Sequence, residues 1–359
     1  MQTFRNKYYL NPIGFVNNER GSQLEKTYDS VKIGNSFFTG FEVIEKINKK
    51  KSINKYFTIR DFYKYIEKKA STKLKEKFDY VISKRDLLLK IKKQQKSDFL
   101  IFGILNVTPD SFSDGGENLA LKNALEHSKK MVKLGADFID VGGESTRPGA
   151  TKVSDDVESM RILPILQSLY HNKINISLDT RNSSTMELGI LSGAKIINDV
   201  SALLNDKKSV EIIKRYQIPV VLMHMPGNPQ NMMKKNIYQN VLFDVYDFLE
   251  ERIDFCVSNG IKRSNIIVDP GIGFGKNYEQ NLEILKNLSL FHTLGCPIML
   301  GVSRKRFISS IHKENNPKNR LAGTITSTIL GMRQGIQIHR VHDVSEIVQS
   351  IKVFEKIVN

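Results

Sequence analysis

Residues 99–106 read FLIFGILN, an apolar run of strand length that ends on an amide and passes at once into the polar stretch VTPDSFSDGG at 107–116. A run that is apolar at odd and even positions alike fits a parallel strand buried on both faces. Eight such runs recur, approaching ends at Asn106, Asp140, Asp179, Asn198, His224, Asp269, Ser303 and His342; the sixth closes on IIVD at 266–269. Helical-period stretches separate them. In 119–134, for example, Leu121, Leu125, Ser128 and Val132 fall on one face and Gly135 stands ready to cap. Eight strand–helix units in the 262 residues from Asp98 onward match an α/β chain folded as a (β/α)8 TIM barrel, closed by right-handed crossovers. A doubly wound open sheet is the alternative. A barrel gathers all eight polar ends at one rim, whereas an open sheet uses only those at its switch point.

The chain has 359 residues, 40% of them hydrophobic, which suffices for one large domain and a smaller unit. Its net charge of +16 is unevenly spread. Residues 1–97 hold 23 Lys and Arg against 10 Asp and Glu, and the remainder is nearly balanced. The run KIKKQQK at 90–96 therefore marks a boundary near Ser97 between a basic N-terminal extension (1–97) and the barrel (98–359). Stretches such as KYFTIRDFYKYI at 55–66 can pack, so the extension reads as a small α+β module with a basic helical end over Leu74–Lys96. Basic charge without a recognisable set of stacking aromatics does not make a nucleic-acid partner the expected one. No apolar run reaches the roughly 18 to 20 residues of a membrane span. Two cysteines, Cys256 and Cys296, make neither a disulfide framework nor a four-thiolate zinc site, and no secretory pattern opens the chain, so the expected location is cytoplasmic.

Two of the loops after predicted strands stand out. The segment 106–116 is long for a connection and reads as a lid carrying Asp110 and Phe112. The segment 140–149, DVGGESTRPG, places glycine backbone donors and the Arg147 guanidinium near the barrel rim.

In order and spacing, ILNVTPDSFSDGG, DVGGESTRPGA, SLDT, INDVSA, MHMPGNPQNM, VDPGIGFGK, GVSRKRF and HRVHDV resemble the dihydropteroate synthase family over residues 98–359. The resemblance implies condensation of 6-hydroxymethyl-7,8-dihydropterin diphosphate with p-aminobenzoate, giving 7,8-dihydropteroate and diphosphate. It implies a pterin site of Asp179, Asn198, Asp269 and Lys305 with Met223 beneath the ring and Phe274 along it; carboxylates accepting paired N–H donors make geometry-selective contacts of this kind. It implies a diphosphate site of Asn106, Thr146, Arg147, Arg340 and His342, and a p-aminobenzoate pocket of Phe112, Arg147, Pro148 and Arg306, the last standing where some members carry serine. Asp179, Lys305, Arg340 and His342 are the expected catalytic set. Mg2+, held through Asn106, the diphosphate and water, is the expected cofactor, and a homodimer the expected assembly. Pro226 and Asn228 depart from the family's usual fifth loop. The rival readings are a pterin-dependent methyltransferase, which has no need of the Arg340, His342 and Ser303–Lys305 groups that suit a diphosphate, and a binding-only relative, which should have lost some of Asn106, Asp179, Lys305 or His342.

Overall fold

The structure, a computed structural model, describes residues 7–47, 52–69, 71–85, 99–107, 117–151, 153–235 and 237–358. Eight parallel strands form the main sheet: β5 (Leu100–Asn106), β6 (Phe138–Gly142), β7 (Ile176–Asp179), β8 (Ala194–Asp199), β9 (Val220–Met223), β10 (Ile266–Asp269), β11 (Met299–Leu300) and β12 (Ile338–Val341). Their order is β10-β9-β8-β7-β6-β5-β12-β11, and a parallel bridge between Val268 and Ile298 joins the two ends, closing a (β/α)8 barrel. Closure removes the sheet edges, which excludes the open-sheet alternative. The observed strands end within three residues of each expected end; β11 stops at Leu300, and Ser303 lies just beyond it.

Period-two alternation sorts each strand into an inward and an outward set. Leu100, Phe102, Phe138, Ile196, Val221, Ile267, Met299 and Ile338 form one buried cluster that fills the lower barrel. Positions two residues further along the same strands are Ile104, Asp140, Asn198, Met223, Asp269, Gly301 and Arg340. The barrel therefore changes from hydrocarbon to polar within one layer, toward the C-terminal ends of its strands.

Nine helices among the described residues surround or extend the barrel: α4 (Glu117–Leu134), α5 (Asp155–His171), α6 (Ser183–Leu191), α7 (Ser209–Tyr216), α8 (Val241–Ser258), α9 (Tyr278–Lys286), α10 (Arg306–His312), α11 (Leu321–Arg333) and α12 (Val344–Val358). α4 ends as its sequence implies: Gly135 takes φ +113°, and the Ala136 N–H reaches the Met131 carbonyl at 2.9 Å. Outward-facing strand residues such as Ile101, Ile139, Val141 and Ile197 pack with helix residues into the main core.

The extension is an antiparallel sheet with helices. β3 (Ser36–Lys46) pairs with β1 (Lys7–Val16) on one side, and with β2 (Val31–Ile33) and then β4 (Ser52–Thr58) on the other. With α1 (Asn18–Glu25), α2 (Ile59–Lys69) and α3 (Thr72–Ile82) it encloses its own core, including Phe38, Phe41, Phe62 and Phe78. The helix expected over Leu74–Lys96 is interrupted within the described residues: it stops at Ile82, where Ser83 turns extended. Arg85 then buries its guanidinium and donates to the His292 carbonyl at 3.1 Å, drawing the chain against the barrel. Residues 86–98, including the boundary near Ser97, lie outside the described residues.

The two units share an interface. Tyr9 is fully buried within the barrel's core cluster, stacks on Phe243 of α8 at 4.3 Å between ring centroids, and donates to Asp247 at 2.9 Å. Lys7 and Lys77 both pair with Glu250 at 2.7 Å. Ser289 donates to the Asn11 side chain and the Pro12 carbonyl.

Candidate functional site

The polar layer at the C-terminal mouth is organised around Arg340. Its Nε donates to Asp140 Oδ2 at 2.5 Å and its Nη2 to Asp179 Oδ2 at 2.7 Å, so one guanidinium spans the barrel between two strands. Asp140 is fully buried and also accepts from Ser177 Oγ at 2.6 Å and Asn198 Nδ2 at 3.1 Å. Asp179 is less well satisfied: its Oδ1 is buried with no hydrogen-bond partner. Burial pushes the Asp179 carboxyl above the usual carboxylate range, against the pull of Arg340. Arg340 stays charged because Asp140 and Asp179 outweigh the burial that opposes its charge. A buried acceptor lacking a donor is an unmet demand that a ligand N–H can meet. Asp179 does not cap α6; that position belongs to Asn182.

A second group gathers on the β10–β11 side. Asp269 Oδ1 accepts the Gly271 N–H at 2.7 Å, and burial raises its carboxyl pKa while Lys305 pulls it down. A methyl group placed on Gly301 would lie 3.8 Å from Lys305 Nζ and 3.9 Å from both Asp269 Oδ2 and Arg340 Cβ, so these side chains converge on a space kept open by a glycine. Lys305 Nζ donates to the Ile272 carbonyl and sits 4.7 Å from the centroid of the Phe274 ring. Burial lowers its pKa to about 8, with Asp269 opposing the fall. Phe274 packs in turn against a small cluster of Val200, Met223, Met225 and Met232, an apolar wall of adaptable thioethers beside the polar groups.

The loop carrying Phe274 is held by Lys276, which is 3% exposed and donates to the carbonyls of Gly271 at 2.8 Å, Phe274 at 3.0 Å and His224 at 3.3 Å. Gly271 is required where it stands: its φ is +69°, and a Cβ there would lie 2.0 Å from the His224 carbonyl oxygen.

The rim is cationic. His342 Nδ1 lies 2.9 Å from Ser303 Oγ. Burial first, then Arg340, Arg304 and Arg147, with Asp343 opposing, lower the His342 pKa to about 4. Three guanidinium groups from three segments thus act on one imidazole, two of them paired with Asp140, Asp179 and Asp343, and their positive field suits an anion. Arg147 and Pro148 are exposed and Thr146 is half-buried, in a loop tied down by Glu144, which accepts from Arg181 at 2.9 and 3.0 Å. The same loop meets the loop after β9 where the Gly149 N–H reaches the Pro229 carbonyl at 2.9 Å.

Of the residues singled out from sequence, Asp179, Asn198, Asp269, Lys305, Met223, Phe274, Arg340 and His342 meet inside or around the mouth. Asn106 ends β5 and is exposed, and Arg306 is exposed at the first position of α10. Phe112 and Asp110, and with them the expected lid, lie outside the described residues. Sequence reasoning leaves Asp140 and Lys276 without roles, and it groups Ser303 with Arg304 and Lys305 as suited to a diphosphate without reaching its contact with His342. Asp140 and Ser303 had been seen as strand ends, and the inward parity of Asp140 with Phe138 was the available signal; nothing local distinguished Lys276 from a surface lysine.

Among the described residues no three His, Cys, Asp or Glu side chains cluster in a way that could hold an ion. An exposed amide at Asn106 is a single hard oxygen donor, which fits Mg2+ held mainly by a substrate's oxygens and water.

Residues 102–342 match the family model described as pterin binding enzyme. The chain is 41% identical over 265 residues to the dihydropteroate synthase of Bacillus subtilis (strain 168), covering 74% of this chain and 90% of that protein. Among solved structures, it is similar to Xanthomonas albilineans dihydropteroate synthase with 4-aminobenzoic acid (TM-score 0.68, 37% identity, 72% of this chain and 92% of that one). It is likewise similar to the Xanthomonas albilineans enzyme in complex with 7,8-dihydropteroate (TM-score 0.65, 34% identity, 72% and 93%). The family match begins beyond the N-terminal module.

Proposed function

We propose the activity that follows from one fact: the chain belongs to the dihydropteroate synthase family of pterin-binding enzymes. It joins 6-hydroxymethyl-7,8-dihydropterin diphosphate to p-aminobenzoate, releasing diphosphate. The observation that carries this reading is the division of the mouth into a buried acidic interior around Asp140, Asp179 and Asp269 and a cationic rim of Arg340, Arg304 and Arg147 around His342. A flat heterocycle bearing N–H donors fits the first, and its phosphorylated arm fits the second.

Asp179 offers its unpartnered oxygen, Asn198 its amide and Asp269 its carboxylate to the pterin ring edge, while Lys305 donates to the ring carbonyl. Met223 and Phe274 line the ring's apolar face. Arg340, His342, Thr146 and Arg147 hold the diphosphate. Asn106 would hold Mg2+ together with the diphosphate oxygens, and the ion, when bound, offsets leaving-group charge. The bond from the exocyclic methylene to oxygen breaks with its electron pair leaving on diphosphate. The resulting pterin-stabilised cation is favoured by the buried Asp179 charge. The aromatic amine then forms the carbon–nitrogen bond and gives up a proton to solvent, so no strong general base is needed. Arg147 and Pro148, with Phe112 and the Arg306 backbone, shape the p-aminobenzoate pocket.

The active assembly is a homodimer in the cytoplasm. In support of the dimer, neighbouring helices expose large apolar side chains: Ile311 on α10, Leu330 on α11, and Val353 and Ile357 on α12. No helix among the described residues is long and apolar enough to cross a membrane.

The test is turnover of the purified chain with pterin diphosphate, labelled p-aminobenzoate and Mg2+. Labelled dihydropteroate is expected, competed by a sulfonamide and abolished by Asp179→Ala or Lys305→Ala. Pterin binding without product would leave a binding-only relative and overturn the reading.

A further inference from the structure

We propose that Ser303 is a positioning residue for the diphosphate displacement, its hydroxyl fixing the His342 imidazole as the tautomer that carries hydrogen on Nε2. The proposal rests on the function above and adds a residue that touches neither substrate.

The hydrogen-bond geometry favours one tautomer, the one that leaves no polar hydrogen without an acceptor. Ser303 is 6% exposed, and its Oγ accepts the His342 backbone N–H at 3.2 Å while lying 2.9 Å from Nδ1 of the same residue. With that lone pair engaged, the hydroxyl hydrogen has Nδ1 as its acceptor. The reverse arrangement would fill both Oγ lone pairs with donors and leave the hydroxyl hydrogen of a buried serine without an acceptor. Hydrogen therefore belongs on Nε2, at the far side of the ring.

The tautomer matters because this imidazole is neutral. Burial and the surrounding Arg340, Arg304 and Arg147 disfavour a further positive charge, with Asp343 alone opposing them. A neutral imidazole has a single N–H to offer. On Nε2 it is a donor to a phosphate oxygen; on Nδ1 it would leave a lone pair facing the anion.

Ser303 is itself held by an over-determined loop. Arg304 adopts φ +59°, a left-handed conformation that a non-glycine residue keeps only when its surroundings enforce it. Its N–H reaches Thr324 Oγ1 at 3.0 Å, its carbonyl accepts from Arg320 at 3.0 Å, and its guanidinium clasps Asp343, with Nε 2.9 Å from Oδ2. The ends of β11 and β12 are thereby joined twice over, Ser303 to His342 and Arg304 to Asp343.

The experiment combines 15N spectra of histidine-labelled full-length chain, with His342 assigned by loss of its signals in His342→Gln, and steady-state kinetics. Wild type should show protonated Nε2 and bare Nδ1. Ser303→Ala should shift the ring toward the other tautomer and lower kcat roughly tenfold, the loss of one hydrogen bond, with the KM for p-aminobenzoate within twofold. Ser303→Thr should restore both, which separates positioning from misfolding. A wild-type ring protonated on Nδ1, or Ser303→Ala with unchanged tautomer and rate, overturns the proposal. Absence of turnover in wild type would overturn the functional reading instead, and the spectra would still decide the tautomer.

Discussion

Replacing Arg340 with alanine removes the one cation that spans Asp140 and Asp179. Asp140 has no exposed side-chain surface and Asp179 has 7%, so neither carboxylate can recover its lost partner from bulk water. Breaking a buried pair from one side costs about 3–5 kcal/mol. Arg340 itself is 22% exposed, which places the expected loss at the lower end, about 3 kcal/mol. Urea unfolding of the ligand-free chain measures it. Asp140→Asn in the same background removes one of the two orphaned charges, so the double variant should recover about 2 kcal/mol of that loss as coupling between the sites. The pH dependence has a fixed sign. Burial already raises the Asp179 pKa in the folded chain, and without Arg340 it rises further. A raised folded pKa means that stability is fully present below the unfolded value and is lost as pH climbs through the folded one. The Arg340→Ala deficit should therefore be larger at pH 8 than at pH 5. A deficit below about 1 kcal/mol, no recovery with Asp140→Asn, or a deficit that grows toward acid would refute the reasoning.

Three further outcomes are expected. Lys305 loses its proton near pH 8, so pterin affinity read by ligand fluorescence should step down as pH rises through that value, and the step should vanish in Lys305→Ala; a profile identical in both chains would contradict it. Gly271→Ala forces a Cβ onto the His224 carbonyl at a left-handed φ, and should lower stability by at least about 2 kcal/mol and abolish pterin binding; a variant with native melting would show that the loop yields. Tyr9→Ala should destabilise the barrel by about 3 kcal/mol through the emptied space against Phe243, whereas Tyr9→Phe should cost only about 1 kcal/mol for the bond to Asp247; equal losses would mean that the ring contact contributes little.

The barrel was legible because buried parallel strands leave a strong signal: continuous apolar runs such as FLIFGILN, each closed by a polar residue. The convergence of Asp179, Asn198, Asp269 and Arg340 followed from placing those ends on one rim. Pairings across the barrel were not legible. Arg340 meets Asp140 at a sequence separation of 200, and no local pattern says that this guanidinium turns inward. Lys276 reads as a solvated charge until the loop folds three carbonyls over it. The N-terminal module could be read as packed from its aromatics, but its docking through Tyr9 onto α8 depends on contacts 238 residues apart. The helix expected from Leu74 onward breaks after Ile82, because charge pattern alone does not register that Arg85 finds a buried carbonyl on the barrel.

A crystal structure of the chain with pterin diphosphate measures directly where the ligand sits. The ring should lie within the mouth between Asp179, Asn198 and Asp269, edge-on to their oxygens and flanked by Met223 and Phe274, with the diphosphate against His342 and Arg147. A ring bound outside the barrel, or a diphosphate directed away from His342, would contradict it.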